Sequence, residues 1–138
     1  SGIRHQKMVH RFEDLEVFQR AYKLSLEVHR ASLTMPSIEQ AALADQVRRA
    51  SKSICANLAE AWRKRRYQNA FVSKLCDSEG EAAETQVWIE FSVDCGYLKK
   101  ETAKDLYRDY NDIIGKLVTM SNAPEKWVLP SGQKSTKG

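Results

Sequence analysis

The chain has 138 residues, of which 42% are hydrophobic and 29% are charged, and its formal net charge is +4. These values are typical of one globular domain and exclude a largely disordered chain. Because no apolar run approaches the ~20 residues of a membrane span and residues 1–10 lack a signal-peptide core, we expect a cytoplasmic protein without membrane contact.

The first two predicted helices follow from apolar periodicity. Over about residues 14–35, apolar side chains recur at alternating spacings of four and three, which predicts a helix with one buried face. Pro36 ends this helix, because proline disfavours helical continuation. A second helix is predicted over residues 37–65, and Ser37 with Gln40 has the pattern of a capping box at its start.

The third and fourth helices are predicted over residues 67–95 and 100–121. The buried face of the third contains small side chains, so a neighbouring helix could approach closely: Ser78, Ala82 and Thr85. Gly96 suits a left-handed cap, with Tyr97 packing back on the helix. Four helices of similar length with short connections predict an all-α, antiparallel up-down-up-down four-helix bundle over residues 12–122. Residues 1–11 and 123–138 are expected to be flexible termini.

A line of polar side chains marks one face of the second helix at spacings of four, four and three: Arg49, Ser53, Asn57 and Glu60. An antiparallel hairpin would bring Arg49 close to Glu84 on the third helix. The favoured interpretation is a structural polar network containing a buried Arg49–Glu84 pair, because buried charges are retained when they are paired. A ligand or nucleic-acid site on the same face is the alternative.

Charge divides the middle of the chain into a basic and an acidic half. Residues 37–66 contain seven basic and three acidic residues, whereas residues 67–96 contain one basic and six acidic residues. The basic side chains predict a nucleic-acid-binding surface: Arg48, Lys52, Arg63, Lys64, Arg65 and Arg66. Trp62 and Tyr67 could stack on bases beside them. The alternative is a solubilising helix end whose cations compensate the helix dipole.

Motifs for catalysis are missing from the sequence, so we predict a non-enzymatic protein with no catalytic residue and no cofactor. The acidic residues of the third helix have no histidine within one turn, so no metal site is predicted either. The three cysteines do not form a C-x-x-C pair and are expected to be reduced thiols in the core: Cys55, Cys76 and Cys95.

Two stretches carry a resemblance to a known family, namely DLEVFQRA at residues 14–21 and QVRRASKSICANLAEA at residues 46–61. They resemble the bacterial four-helix bundle proteins encoded in intervening sequences of large-subunit ribosomal RNA genes. The resemblance covers about residues 12–120. This chain departs from the family pattern at Phe18, where tryptophan is usual, and at Ala61, where glycine is usual.

The resemblance implies a four-helix bundle without enzymatic activity that assembles into a ring-shaped homopentamer. It also implies a distant similarity to the accessory bundles of diversity-generating retroelements, which bind a reverse transcriptase and nucleic acid. Apolar stripes wider than one buried face needs also favour a homo-oligomer, although the number five comes from the resemblance. The leading hypothesis is therefore a homo-oligomer that binds RNA or an RNA–protein particle. The alternative is a structural oligomer or protein-interaction scaffold without nucleic-acid binding.

Overall fold

The computed structural model describes residues 9–130, and all regular elements in this range are helical. Four long helices form a bundle: α1 (Glu16–Leu33), α3 (Leu43–Arg63), α4 (Gln68–Asp94) and α5 (Lys100–Asn122). A single turn, α2 (Ser37–Gln40), lies between α1 and α3. The predicted all-α four-helix bundle is confirmed. None of the helices in this part of the chain has the length and apolar character needed to cross a bilayer.

Helices α3 and α4 form an antiparallel hairpin with the predicted register. The Ser78 hydroxyl on α4 donates to the Ile54 carbonyl on α3 at 2.9 Å, and the Lys74 ammonium lies 3.4 Å from Asn57 Oδ1. Later positions of α3 therefore face earlier positions of α4. The most extensive contact of the bundle joins these two helices. Ser78, Ala82 and Thr85 on α4 are small and fully buried, which allows the two helices to approach closely.

The core is a single cluster to which all four long helices contribute. Its largest fully buried apolar and aromatic side chains are Ile54, Leu58, Phe71, Leu75, Tyr110, Ile113 and Leu117. In α1, the predicted spacing places Val17, Ala21, Leu24 and Val28 inside. The apolar periodicity therefore identified the inner face of each helix correctly.

Helices α1 and α5 close the bundle with the least extensive contact of its four adjacent helix pairs. Two ion pairs bridge them in antiparallel register, with Lys116 Nζ 2.8 Å from Glu16 Oε1 and Arg20 Nη2 3.5 Å from Asp112 Oδ2. Between them lies an open cavity of about 1080 Å³. One side of the bundle is thus much less tightly packed than the side formed by α3 and α4.

The predicted second helix over residues 37–65 is wrong in one respect, because it is divided. The chain leaves helical geometry at Ala41–Ala42, and α3 begins at Leu43. The predicted capping box is also wrong, since no side chain caps α2. Gln40 instead turns towards the end of α1, where its Nε2 donates to Ser32 O at 2.9 Å and to Met35 O at 3.0 Å. These carbonyls lie at the helix end, where intrahelical donors are lacking.

Arg48 completes this corner between α1 and α3. Its Nη1 donates to Ser32 Oγ at 2.8 Å and to Gln40 Oε1 at 3.1 Å, while its Nη2 donates to Gln40 O at 2.8 Å. One guanidinium group thereby holds the end of α1, the turn α2 and the start of α3 together. We call Ser32, Gln40 and Arg48 the corner network.

The end of α4 matches its prediction. Gly96 has φ +82°, and its N–H donates to Val93 O at 2.9 Å. The Tyr97 N–H donates to Ser92 O at 2.8 Å, which completes a Schellman motif. The Tyr97 hydroxyl also donates to Glu39 Oε2 at 2.9 Å and thus connects the end of α4 to α2.

The predicted boundary at residue 122 and the flexible segment after it are wrong for residues 123–130. A 3-10 turn, Pro124–Lys126, follows α5 and leads Val128 into the core, where 7% of its surface is exposed. The Leu129 N–H donates to Arg65 O at 3.0 Å. This segment packs because it ends in apolar side chains that cover the end of the bundle. The predictions for residues 1–8 and 131–138 lie outside the described residues.

The corner network generates a prediction about stability. Replacing Arg48 by glutamine removes three hydrogen bonds and leaves part-buried acceptors unsatisfied, so the free energy of unfolding should fall by about 1–3 kcal/mol. Urea unfolding measures this loss. The matched control is Lys52→Gln, which removes the same charge from an exposed position one turn away and should change stability by less than about 0.5 kcal/mol. Equal effects of the two substitutions would contradict a structural role for Arg48.

Two glycines should respond in opposite directions to alanine. Gly96→Ala should destabilise the protein by about 1 kcal/mol, because a Cβ is strained at positive φ. Gly115→Ala should stabilise it by up to about 1 kcal/mol, because this glycine lies inside α5 and an added Cβ meets no atom within 4 Å. Thermal unfolding of both variants tests the pair, and a stabilised Gly96→Ala protein would contradict the assigned cap.

Candidate functional site

The basic turn, defined as Arg63, Lys64, Arg65 and Arg66, connects α3 to α4 at one end of the bundle. Its backbone is ordered by consecutive hydrogen bonds, including Lys64 N to Ala61 O at 3.0 Å and Tyr67 N to Lys64 O at 3.0 Å. Arg63, Lys64 and Arg66 are exposed. Within residues 9–130, none of these three has a carboxylate at ion-pair distance. Their charges are therefore available to an anionic ligand.

Arg65 differs from the other three cations because it packs on the protein. Its Cζ atom lies 3.5 Å from the centroid of the Trp62 ring, and its Nε donates to Trp62 O at 2.9 Å. Burial, followed by repulsion from Arg63, lowers the pKa of the Arg65 guanidinium from its ordinary value. Trp62 is only 6% exposed, so the prediction that it stacks on bases is wrong. Tyr67 is 48% exposed and is open to such contacts.

A cavity of about 300 Å³ lies beside the basic turn. It is lined by Arg63, Arg65 and Arg66 and by residues that precede α1: His10, Arg11, Phe12 and Glu13. Glu13 is engaged by Arg11, with Nη2 3.2 Å from Oε2, and this contact lowers the pKa of the Glu13 carboxyl. The cavity therefore has a positive rim to which two distant parts of the chain contribute.

The structure separates two of the other predicted nucleic-acid-binding residues. Lys52 is exposed and lies three helical turns before Arg63, on the same face of α3. Arg48 belongs to the corner network at the opposite end of the bundle, so its placement on the candidate surface is wrong. The sequence pattern could not separate these two cations, because both lie on the side of α3 that adjoins α1.

The predicted buried pair between Arg49 and Glu84 is wrong. The Arg49 side chain is 76% exposed and its Nε lies 2.6 Å from Asp45 Oδ2, one turn back on α3. Glu84 is exposed on α4. The hairpin register was correct, but α3 is rotated so that Ile54 faces the core and Arg49 faces solvent. Ser53 is half-buried between these two directions.

Asn57 and Glu60, the other members of that predicted network, do share a partner, and it is a residue that the sequence analysis missed. Lys74 Nζ lies 3.4 Å from Asn57 Oδ1, 3.1 Å from Glu60 Oε2 and 3.5 Å from Asp77 Oδ2. The hydrogen bond with Glu60 is the main cause that raises the pKa of Lys74 above its ordinary value. The signal in the sequence that points to Lys74 is that it is the only basic residue of the acidic segment 67–96.

From the sequence, Phe18 and Tyr22 are only part of a wide apolar stripe on the first helix, and the structure joins them to Phe12 in an aromatic row. Phe12 and Phe18 meet edge to face with ring centroids 5.1 Å apart, and Phe18 and Tyr22 follow at 6.0 Å with the rings tilted by 32°. The row extends along α1 from the positive cavity, since Phe12 lines that cavity. Its signal in the sequence was the spacing of Phe18 and Tyr22, which are one turn apart beside the buried face of α1.

The remaining reactive groups do not form a constellation in the described structure. Among residues 9–130, no three histidine, cysteine, aspartate or glutamate side chains converge as metal ligands would. Cys55 is half-buried, and burial raises the pKa of its thiol to about 11. Cys76 is exposed on α4 and Cys95 is exposed directly after its last residue, so their predicted core positions are wrong.

Comparisons with known proteins agree with this architecture. A sequence model described as 23S rRNA-intervening sequence protein matches residues 13–119. The chain is also similar to a solved protein of unknown function from the S23 ribosomal protein family of Bacteroides thetaiotaomicron. The TM-score is 0.70 at 23% sequence identity, and the match covers 77% of this chain and 95% of that one. A comparison with curated proteins gives no match. Because the family match spans residues 13–119, which is well over half of the chain, the chain belongs to the 23S rRNA-intervening sequence protein family.

Proposed function

We propose that this protein is a non-enzymatic, homo-oligomeric bundle that binds RNA through the basic turn and Lys52. The observation that carries the proposal is the set of unpaired, exposed cations on an ordered turn: Arg63, Lys64 and Arg66. Arginine and lysine side chains in this state release counterions when they bind phosphates. The family description refers to 23S rRNA, so RNA is the first nucleic acid to test.

Self-association is the second part of the proposal, and α4 supports it. Its outward face repeats small or apolar residues at spacings of three and four: Ser73, Cys76, Gly80, Ala83 and Val87. Val87 is 46% exposed and Phe91 is 52% exposed, with Trp88 packed against Phe91 at 5.8 Å. A helix with small or apolar side chains on two opposite faces is typically packed against neighbours on both of them. A second copy of this chain would cover the outer face of α4.

A scaffold without RNA binding is the rival function. The same exposed face of α4 favours it, because a protein interface alone would account for the apolar surface. In that case the basic turn only keeps the assembly soluble. Salt-dependent RNA binding distinguishes the two functions, because a scaffold would not bind RNA even at low salt.

The RNA proposal predicts the effect of charge removal. The triple variant Arg63→Gln, Lys64→Gln, Arg66→Gln should bind labelled RNA more weakly, and its logarithmic salt slope should be flatter by about 2, since each lost phosphate contact removes about 0.7. Fluorescence anisotropy across a salt series measures both. The control triple Lys99→Gln, Lys100→Gln, Lys104→Gln removes the same charge from exposed positions at the other end of the bundle and should retain the wild-type slope. Identical losses in both triples would show that only net charge matters.

The assembly proposal predicts a mass of five times the 15.8 kDa chain, with the number five taken from the family resemblance. Light scattering coupled to size-exclusion chromatography measures it. Val87→Glu should lower the mass by placing a charge in the proposed interface, whereas Val118→Glu, at a 38% exposed position on α5, should not. A wild-type mass of one chain at every concentration would refute self-association, and another multiple would refute only the count.

A further inference from the structure

The aromatic row of Phe12, Phe18 and Tyr22 ends at an exposed ring that packs against a half-buried one. Phe12 and Phe18 are half-buried and pack against the core, whereas Tyr22 is 53% exposed. Because Tyr22 rests against Phe18 at 6.0 Å, its position is supported by a neighbouring ring that is itself anchored. An exposed aromatic side chain held in this way offers a π face to a flat ligand.

The surroundings of Tyr22 follow from the register of α1 and α3. The contact of Ser32 with Arg48 near one end, and the shared cavity of Phe12 and Arg63 at the other, align the two helices antiparallel. Tyr22 then lies beside the stretch 56–59 of α3, where Ala56 and Ala59 are small. Small neighbours leave space alongside the tyrosine ring for a planar group.

Two cations bracket that space. Lys52 and Arg63 lie on the same face of α3, eleven residues and therefore about 16 Å apart along the helix axis. Neither has a carboxylate at ion-pair distance among residues 9–130. An aromatic ring between two free cations matches a strand that presents phosphates on both sides of an unpaired base.

From this arrangement we infer that the ligand of the basic surface is single-stranded RNA and that one unpaired base stacks on Tyr22. The inference rests on the proposed function and adds the class of nucleic acid to it. A duplex keeps its base faces inside its own stack, so it can use Lys52 and Arg63 but cannot use Tyr22. Tyr22 therefore supplies the preference for a single strand, and the cations supply attraction to either form.

The test compares a labelled single-stranded oligoadenylate with an RNA duplex of the same length, using fluorescence anisotropy. Tyr22→Leu retains an apolar contact with Phe18 but removes the π face, so it should weaken binding of the single strand about 5- to 100-fold and leave duplex binding unchanged. Tyr22→Phe retains the ring and should bind like the wild type. Leu33→Ala, at a 60% exposed position further along α1, controls for the loss of apolar surface and should have no effect.

The outcomes separate this inference from the proposed function. Wild-type protein that binds both RNAs equally, with no change in Tyr22→Leu, overturns the inference and leaves RNA binding intact. Wild-type protein that binds neither RNA at low salt overturns both. If Tyr22→Leu instead lowers the mass of the assembly while single-strand affinity is unchanged, the ring belongs to a protein interface and the inference is wrong.

Discussion

The close approach of α3 and α4 is the constraint on which the rest of the bundle depends. It requires small side chains on α4 at the crossing, and Ser78 meets this requirement while its hydroxyl donates to the Ile54 carbonyl at 2.9 Å. A larger residue at this position would push the two helices apart, because protein interiors contain little free volume. Since α1 packs on one side of this hairpin and α5 on the other, their positions follow from it.

The hairpin also explains why the bundle has unequal sides. Helices α1 and α5 each pack more extensively against the hairpin than against one another, and the ion pairs Glu16–Lys116 and Arg20–Asp112 lie across their mutual contact. Ion pairs at the surface contribute little to stability, so this side adds little to the folding free energy. Polar chemistry is concentrated elsewhere, in the corner network at one end and in the basic turn at the other. The two ends of one helix, α3, therefore have separate tasks, one in folding and one in the proposed recognition of phosphates.

Much of the fold could be predicted from the sequence, because helix periodicity and capping are local properties. The repeat of three and four identified the inner faces, and Gly96 identified the end of α4. The break in the second predicted helix was missed, because the Gln40 side chain donates to a carbonyl at the end of α1 instead of capping its own helix. The site was less predictable for a similar reason. Apolar spacing identified the buried side of α3, but it does not show which polar positions lie against a neighbouring helix. Arg49 lies five positions before Ile54 and therefore about 140° around the helix, on the solvent side.

The contact between Leu129 and Arg65 lowers the conformational entropy that the basic turn would lose on binding a ligand. A turn rich in arginine would ordinarily sample many backbone conformations, and a ligand would have to select one of them. Here the Leu129 amide donates to the Arg65 carbonyl at 3.0 Å, and Trp127 packs against Trp62 with ring centroids 6.4 Å apart. A segment more than sixty positions away thus holds the backbone of the turn from outside. A peptide with the sequence of the turn would have the same charges but would lack this preorganisation. The charges of the basic turn and the contacts that fix its backbone are therefore encoded in different parts of the chain.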